Sequence, residues 1–166
     1  MGRHRIFAGC PAPASIAEEM EAWAIQNLPD ARVLPAASLH ATLFFFGWRS
    51  DEEVALLLDA FHMAEWKPLP VQATGIKRFG RTAISFVFSA NVEDLFASDA
   101  FVRLSEMAGE GGKFRKLHLT AARSKETKKL PRNAPAYSFI FDRFCLYESV
   151  LGKGVPDYRV LASSGK

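Results

Sequence analysis

The sequence lacks the features that define several large classes of protein. No apolar run approaches the roughly 20 residues that a membrane-spanning helix requires. The first residues, MGRHRIFAGCPAP, lack the long apolar core of a secretory signal. From these absences we expect a cytoplasmic protein that does not associate with membranes.

Cysteine is scarce, and its placement argues against a metal or redox role. Cys10 and Cys145 lie far apart in the chain, and no C-x-x-C motif is present. Neither a zinc site nor a redox pair is therefore indicated. We expect two reduced, buried thiols that pack as small hydrophobic side chains.

The signatures of several enzyme classes are also missing. The chain has no H-E-x-x-H, no G-x-S-x-G, no P-loop and no G-x-G-x-x-G. These absences disfavour zinc hydrolases, serine hydrolases, and proteins that bind nucleoside triphosphates or dinucleotides through those motifs. We expect no metal and no cofactor.

The composition is that of an ordinary globular protein, but its charge is unevenly distributed. With 166 residues, 49% hydrophobic and 23% charged, residues 1–166 are predicted to form a single two-lobed domain. The formal net charge is only +3, whereas residues 111–132, the basic segment, hold eight basic residues and one acid, a formal charge of +7. The eight are Lys113, Arg115, Lys116, Arg123, Lys125, Lys128, Lys129 and Arg132. This segment is either a solvated loop or a surface that attracts polyanions.

Hydrophobic periodicity and turn residues predict strands that cluster along the chain instead of alternating strictly with helices. Strands are predicted at 5–9, 38–46, 71–79, 82–90, 114–123, 136–149 and 158–162, and helices at 15–28, 51–64 and 92–109. In the first helix, Ser15 and Glu18 stand in capping-box register. The order of elements indicates an α+β fold with two similar lobes.

Two of the predicted strands carry the same triplet, His-x-Thr. Side chains two residues apart project from one face of a strand, so His40 and Thr42 lie together, as do His118 and Thr120. A single buried histidine is more often a hydrogen-bonded core residue, but the repeated triplet favours a functional pair. The other two histidines, His4 and His62, lack the threonine partner, and we interpret them as structural or surface residues.

Two imidazoles and two hydroxyls in one site suit displacement at phosphorus. An imidazole titrates near neutral pH, so one can deprotonate a nucleophile while the other protonates the leaving oxygen. The hydroxyls can donate hydrogen bonds to the non-bridging phosphoryl oxygens, where charge develops. Such a site needs no metal ion.

The motif strands resemble a known family. LHATLFFFG and LHLTAAR are similar to the paired H-x-[ST] signatures of the two-histidine (2H) phosphoesterase superfamily, in particular its RNA 2',3'-cyclic phosphodiesterases, also called 2'-5' RNA ligases. The resemblance extends over nearly the whole chain, through RIFAGCPAPASI and LYESVLGKGVPDYRVLA. It implies a bilobal α+β fold. Two antiparallel-rich sheets would be related by a pseudo-twofold axis, with helices outside and a groove between them.

The resemblance also implies an activity and residue roles. The protein would open 2',3'-cyclic phosphate ends of RNA to 2'-phosphomonoesters without a metal, with 2'-5' ligation as the reverse reaction. His40 would protonate the departing 3'-oxygen, and His118 would activate water. Thr42 and Thr120 would bind the phosphate.

Three positions bear on the substrate. Arg123 matches a basic residue that commonly follows the second motif, which implies that it faces the phosphates of the substrate. Strict alternation from His118 places Arg123 on the opposite face, so either the strand bends or this role is wrong. Phe44 stands where the family often has a basic or polar residue, and Leu117 where it often has proline. Phe44 falls on the His40 face by alternation, where it would stack on a base, or it belongs to the core.

Two other functions stay open at this point. The chain could be a non-catalytic module that binds RNA ends, with phosphate contacts supplied by the basic segment. It could also perform the same chemistry on another cyclic or 2'-5' linked nucleotide. In each case the partner is RNA or a nucleotide, and we expect a monomer.

Overall fold

The computed structural model describes residues 2–126, 128–152, 154 and 156–165. Within these residues, nine strands pair antiparallel in one sheet, in the order β7-β4-β5-β6-β3-β1-β8-β9 with β2 beside β6. The strands are β1 (Arg3–Pro11), β2 (Arg32–Val33), β3 (His40–Ser50), β4 (Leu69–Phe79), β5 (Ala83–Ser89), β6 (His118–Arg123), β7 (Ser138–Phe141), β8 (Arg143–Val150) and β9 (Asp157–Gly165). The helices are α1 (Ala14–Asn27), α2 (Asp51–His62), α3 (Glu93–Phe96) and α4 (Asp99–Ala108), with a short 3-10 turn at Ala36–Ser38.

The sheet consists of two halves that meet between the two histidine strands. β3 and β6 pair at a single register position, Ala41 opposite Leu119. The half on one side contains β1, β3, β8 and β9, and the other contains β2, β4, β5, β6 and β7. The predicted α+β class is confirmed, but the two expected sheets are joined at this one position into a single sheet. A groove lined by residues of β3 and β6 lies where the two halves meet.

The core lies between the helices and the sheet face that is turned away from the groove. Ala41 and Leu119 are fully buried on this face. Among the described residues, the six largest completely buried side chains are all phenylalanines: Phe44, Phe61, Phe86, Phe101, Phe141 and Phe144. Burying each phenylalanine side chain contributes roughly 1.5–3 kcal/mol. This packing holds the histidine strands on a rigid base.

Helix α1 begins earlier than the sequence predicts. Pro13 is its N-cap residue, with φ −54°, and the Pro13 carbonyl accepts a hydrogen bond from the amide of Ala17 at 2.9 Å. The predicted capping box of Ser15 and Glu18 is therefore wrong. Proline fixes φ just before the helix, so Ser15 lies inside the first turn, where its side chain cannot act as a cap.

The predicted helix 92–109 is two helices. The helix is interrupted between α3 and α4 because Ser98 adopts an extended conformation and caps α4. Its hydroxyl accepts a hydrogen bond from the Phe101 amide at 3.3 Å. At this position the N-cap hydrogen bond of serine is favoured over continuation of one long helix. The predicted C-terminal bound at residue 109 agrees with the structure, in which Gly109 is the C-cap of α4 with a φ of 71° that suits glycine.

The predicted long strand 136–149 divides at Asp142. β7 pairs with β4 in one half of the sheet, whereas β8 pairs with β1 in the other. Phe141 and Phe144 are both buried, so the simple two-residue alternation does not continue across the division. A single strand cannot pair with two separate halves, and the crossing at Asp142 resolves this conflict.

The remaining histidines and the cysteines have structural surroundings. His4 contacts Glu148 at 2.6 Å and Asp51 at 2.8 Å through its two ring nitrogens, and these carboxylates raise its pKa. His62 is exposed at the end of α2. Cys10 and Cys145 are buried free thiols, and desolvation raises the pKa of Cys10. No helix in the described part of the chain combines the length and apolar character needed to cross a membrane.

Candidate active site

Each histidine strand contains a β-bulge immediately after its His-x-Thr triplet. Along β3, Thr42 lies opposite Gly9 and Phe44 opposite Ala8, so Leu43 is the extra residue. Along β6, Thr120 lies opposite Ser85 and Ala122 opposite Ile84, which makes Ala121 the extra residue. A bulge shifts the alternation by one residue and so reverses the face that each following side chain occupies.

The bulges bring the fifth residue after each histidine to the groove. Phe45 follows His40 by five positions, Arg123 follows His118 by five, and both line the same cavity as the histidines. The bend that Arg123 requires is therefore present in β6.

Phe44 does not reach the groove. Its ring is completely buried and packs against Phe96 and Phe101, at centroid distances of 5.8 and 6.3 Å. The prediction that Phe44 shares the face of His40 is wrong because the bulge at Leu43 intervenes. Phe45 occupies the place that was expected for Phe44.

One cavity of about 240 Å³ brings the four motif residues together. His40 and Thr42 line it from β3, and His118 and Thr120 from β6. Several other side chains that the sequence pattern did not indicate also line it, among them Arg5, Phe7, Phe45, Ser149 and Tyr158. The described lining contains no carboxylate, and no cluster of three potential metal ligands occurs among the described residues.

Both imidazoles are held by the same backbone contact. The Nδ1–H of His40 donates to the Ser38 carbonyl at 2.8 Å, and the Nδ1–H of His118 donates to the Lys116 carbonyl at 2.8 Å. Each contact reaches the residue two positions earlier in the chain. Because a carbonyl only accepts, it fixes Nδ1 as the donor and leaves Nε2 to accept or donate a proton in the cavity.

The two imidazoles differ in their aromatic surroundings. His40 packs against Phe7, with ring centroids 4.8 Å apart, and against the edge of Tyr158 at 5.0 Å. His118 stacks on Phe79 at 4.1 Å with an interplanar angle of 10°. Burial lowers the pKa of His40, the hydrogen bond to Ser38 partly opposes this effect, and the nearby charge of His118 lowers the pKa further.

His40 is expected to titrate below its ordinary pKa of about 6.5 in the free protein. As the pH falls below about 6.5, the unfolded chain takes up this proton first, so the contribution of His40 to stability decreases towards acid. An NMR titration of the ring resonances measures the midpoint, with the signal assigned by its loss in His40→Gln. A midpoint at or above 6.5 contradicts the prediction.

The hydroxyls of the two halves have different neighbours. The hydroxyl of Thr120 shares a hydrogen bond with the buried Ser85 hydroxyl at 3.1 Å. The residue opposite Thr42 is Gly9, where a Cβ would overlap the Ala41 carbonyl oxygen. Glycine is therefore required beside Thr42, whereas serine orients Thr120.

The basic segment contributes to the site in two ways. Arg123 lines the cavity, and the backbone carbonyl of Lys116 positions His118. By contrast, Lys113 forms a surface ion pair with Glu110 at 2.9 Å, and Lys128 forms one with Asp30 at 2.6 Å. Part of the predicted positive charge is thus neutralised away from the cavity.

Comparisons with known proteins find similar architectures among solved structures. The sequence matches no protein-family model and no curated protein. The structure matches that of E. coli LigT complexed with ATP, with a TM-score of 0.81 and 22% identity over 99% of this chain and 98% of that one. TT0787 of Thermus thermophilus matches with a TM-score of 0.72 and 22% identity over 97% of both chains. A structure described as a phosphoesterase matches with a TM-score of 0.75 and 20% identity over 99% of this chain and 98% of that one.

The chain has the LigT-like two-histidine phosphoesterase fold. This match confirms, at the level of the fold, the resemblance that the two His-x-Thr motifs indicate. In this LigT-like chain each half of the sheet supplies one histidine, one threonine and one residue five positions after the histidine. The shared five-residue interval was the available signal for Phe45, since Arg123 already stood at that distance from His118.

Proposed function

We propose that this protein hydrolyses the 2',3'-cyclic phosphate ends of RNA to 2'-phosphomonoesters by acid–base catalysis between two histidines, without a metal ion. The observation that carries the proposal is the paired arrangement of His40 and His118. Both line one cavity, and each holds Nδ1 on its own backbone so that Nε2 is presented to a ligand.

The reaction would be an in-line displacement at phosphorus. A water oxygen bonds to phosphorus while the bond between phosphorus and the 3'-oxygen breaks. One Nε2 takes a proton from the water, and the other Nε2–H gives a proton to the departing 3'-oxygen. The phosphate stays on the 2'-oxygen, and the protein ends with its protons exchanged between the two imidazoles.

The cavity wall is suited to an anion. The hydroxyls of Thr42 and Thr120 can donate to the non-bridging oxygens, and the guanidinium groups of Arg5 and Arg123 add positive charge. Because the described lining contains no carboxylate, a phosphate meets no like charge there. Arg123 also donates to the Thr82 hydroxyl at 3.4 Å, which restrains its side chain.

The resemblance assigns proton donation to His40 and water activation to His118. Burial opposes this role for His40 in the free protein because it favours the neutral imidazole. A bound phosphate anion beside the ring would raise the pKa of His40 and allow it to carry the proton that the leaving oxygen needs. Substrate binding would therefore favour the protonated form of His40, the proposed proton donor.

Nucleotide binding is supported by a structural neighbour. E. coli LigT has been crystallised with NADP+, with ATP and with 3'-AMP. By analogy with these complexes, we propose that the cavity of the present chain accepts a nucleotide phosphate. The same observation keeps other cyclic or 2'-5' linked nucleotides as the second candidate substrate class.

The first test is hydrolysis of a short RNA that ends in a 2',3'-cyclic phosphate, with EDTA present. Phosphorus NMR distinguishes the expected 2'-phosphomonoester from a 3'-phosphomonoester. A 2'-5' linked dinucleotide and adenosine 2',3'-cyclic phosphate are tested in parallel to define the substrate class. Tight, salt-dependent RNA binding with no product from any substrate would favour the non-catalytic module instead.

A further inference from the structure

The groove face of β3 continues beyond the cavity to Trp48. A second bulge on this strand makes Phe46 an extra residue, because Phe45 lies opposite Phe7 and Gly47 opposite Ile6. Trp48 then lies opposite Arg5, on the same face as Phe45. The two bulges together place His40, Thr42, Phe45 and Trp48 in one row along the groove.

Both aromatic side chains at the outer end of this row are exposed. Trp48 is 50% exposed and Phe45 is 38% exposed, whereas Trp66 in the core is only 5% exposed. An indole that is left half in water gives up much of the free energy that its burial would contribute. On a rigid strand beside a cavity, such a ring offers a flat surface for stacking.

Arg5 connects the exposed rings with the cavity. Its guanidinium carbon lies 5.1 Å from the centroid of the Phe45 ring, and its side chain also lines the cavity. Arg5 lies opposite Trp48 in the strand register. Among the described residues, no carboxylate forms an ion pair with Arg5. A planar guanidinium held in this way is suited to a phosphodiester.

We infer that Trp48 and Arg5 form the binding site for the second nucleotide of an RNA chain, counted from the cyclic phosphate. Trp48 stacks on the base of that nucleotide, and Arg5 contacts the phosphodiester that joins it to the terminal one. The inference rests on the proposed function, and it specifies the substrate as an oligonucleotide instead of a mononucleotide.

The spacing of the two rings fits a splayed single strand. Phe45 and Trp48 are separated by three residues of strand, which span roughly 10 Å when fully extended and somewhat less across the bulge at Phe46. This distance is larger than the rise of about 3.4 Å between stacked bases in a duplex. Two consecutive bases could reach the rings only when they are unstacked from each other, which is how proteins bind single-stranded RNA ends.

The positive charge around Trp48 favours RNA over a protein as the ligand of this site. Arg3, which is exposed, precedes Arg5 on the same face of β1, opposite Ser50. An exposed aromatic ring flanked by two arginines complements a polyanion that has flat bases. A protein partner that docks through an apolar patch would not require these charges.

The kinetic test compares two substrates that differ by one nucleotide. The ratio of kcat/KM for adenylyl-(3'→5')-adenosine 2',3'-cyclic phosphate to that for adenosine 2',3'-cyclic phosphate is measured in the wild type and in variants. We expect the wild type to favour the dinucleotide by roughly 5- to 100-fold, as stacking on one ring provides. Trp48→Ala should lower this ratio by at least about 5-fold and leave only the preference that Arg5 contributes, whereas Trp48→Phe should retain most of the wild-type ratio.

A matched control is Leu56→Ala, which removes a comparably exposed apolar side chain from helix α2. It should leave the wild-type ratio unchanged. A wild-type ratio near 1, or a Trp48→Ala ratio equal to that of the wild type, would overturn the inference. Neither result would affect the proposed hydrolysis itself.

A binding experiment separates the inference from the proposed activity. The dinucleotide that ends in a 2'-phosphate should quench tryptophan fluorescence in the wild type, and this quenching should be lost in Trp48→Phe. Arg5→Gln should make the dependence of log K on log salt less steep by about 0.7. Quenching without turnover of any substrate would contradict the proposed function and support the site, whereas quenching that persists in Trp48→Phe would overturn the site.

Discussion

Replacing His118 by alanine is expected to lower kcat for the cyclic phosphate substrate by about 10²–10⁴-fold, and replacing His40 by glutamine should have an effect of similar size. Each change removes one proton-transfer group and leaves the other in place. His118 is only partly buried, so the alanine variant should retain its fold. Single-turnover rates measure the loss, and circular dichroism with thermal melting checks the fold.

The matched control for the histidine variants is His62→Ala, since His62 is exposed at the end of α2 and does not line the cavity. It should retain the wild-type rate. Turnover within a few-fold of the wild type in both His118→Ala and His40→Gln would exclude two-histidine catalysis. Loss of rate together with loss of the thermal transition would indicate unfolding. The rate per folded molecule would then show whether the histidine itself is needed for catalysis.

A sulfur substitution assigns the donor and the base. When sulfur replaces the 3'-oxygen of the cyclic phosphate, the leaving group has a pKa near 8.5 and needs little protonation. If His40 is the donor, His40→Gln should recover most of its rate on this substrate, whereas His118→Ala should stay slow. Recovery by His118→Ala alone would exchange the two roles.

Replacing Gly112 by alanine is expected to destabilise the protein by at least about 1–3 kcal/mol. The Cβ of alanine at this position would lie within bonding distance of the Phe45 carbonyl oxygen and 2.8 Å from that of Ala108. The Phe45 amide also donates to the Gly112 carbonyl at 2.8 Å. The backbone at Gly112 therefore lies directly beside β3, and a methyl group would force the two apart. Chemical denaturation measures the change.

Gly111→Ala is a control one residue away. A Cβ at Gly111 meets no described atom within 4 Å, so this variant should change the free energy of unfolding by no more than about 0.5 kcal/mol. Equal effects of the two substitutions would show that the close approach of Gly112 to Phe45 is not what matters. If only Gly112→Ala destabilises the protein, this substitution should also displace Phe45, the cavity residue whose backbone Gly112 contacts.

The sequence predicted the placement of the four motif residues because a two-residue period is enough to put a histidine and a threonine on one face. The same period failed at Phe44 and required an unexplained bend at Arg123, because one extra residue in each strand reverses the alternation. A bulge depends on the register with a neighbouring strand, which pairs across a long sequence separation. A single strand's hydrophobic pattern does not contain that information.

The element boundaries show the same division between local and distant causes. The stop of α4 at Gly109 was predictable because glycine readily adopts a positive φ. The break at Ser98 and the crossing at Asp142 were missed, since each interrupts a pattern that is locally continuous. Arg5 and Tyr158 were missed for a third reason, because β1 and β9 carry no motif and reach the cavity only through the sheet order.

The crossing at Asp142 also sets an order in which the two halves of the sheet can be completed during synthesis. Apart from the two-residue strand β2, the half with His118 is built from one continuous stretch, β4 to β7, whereas the half with His40 needs β8 and β9 from the far end of the chain. The contact between His4 and Glu148 closes a separation of 144 residues. Because such distant pairings form slowly, a ribosome-bound chain can hold a finished second half while its first half still waits for a partner strand. Until β8 arrives, β1 presents an unpaired edge, and the aromatic enclosure that lowers the pKa of His40 does not yet exist.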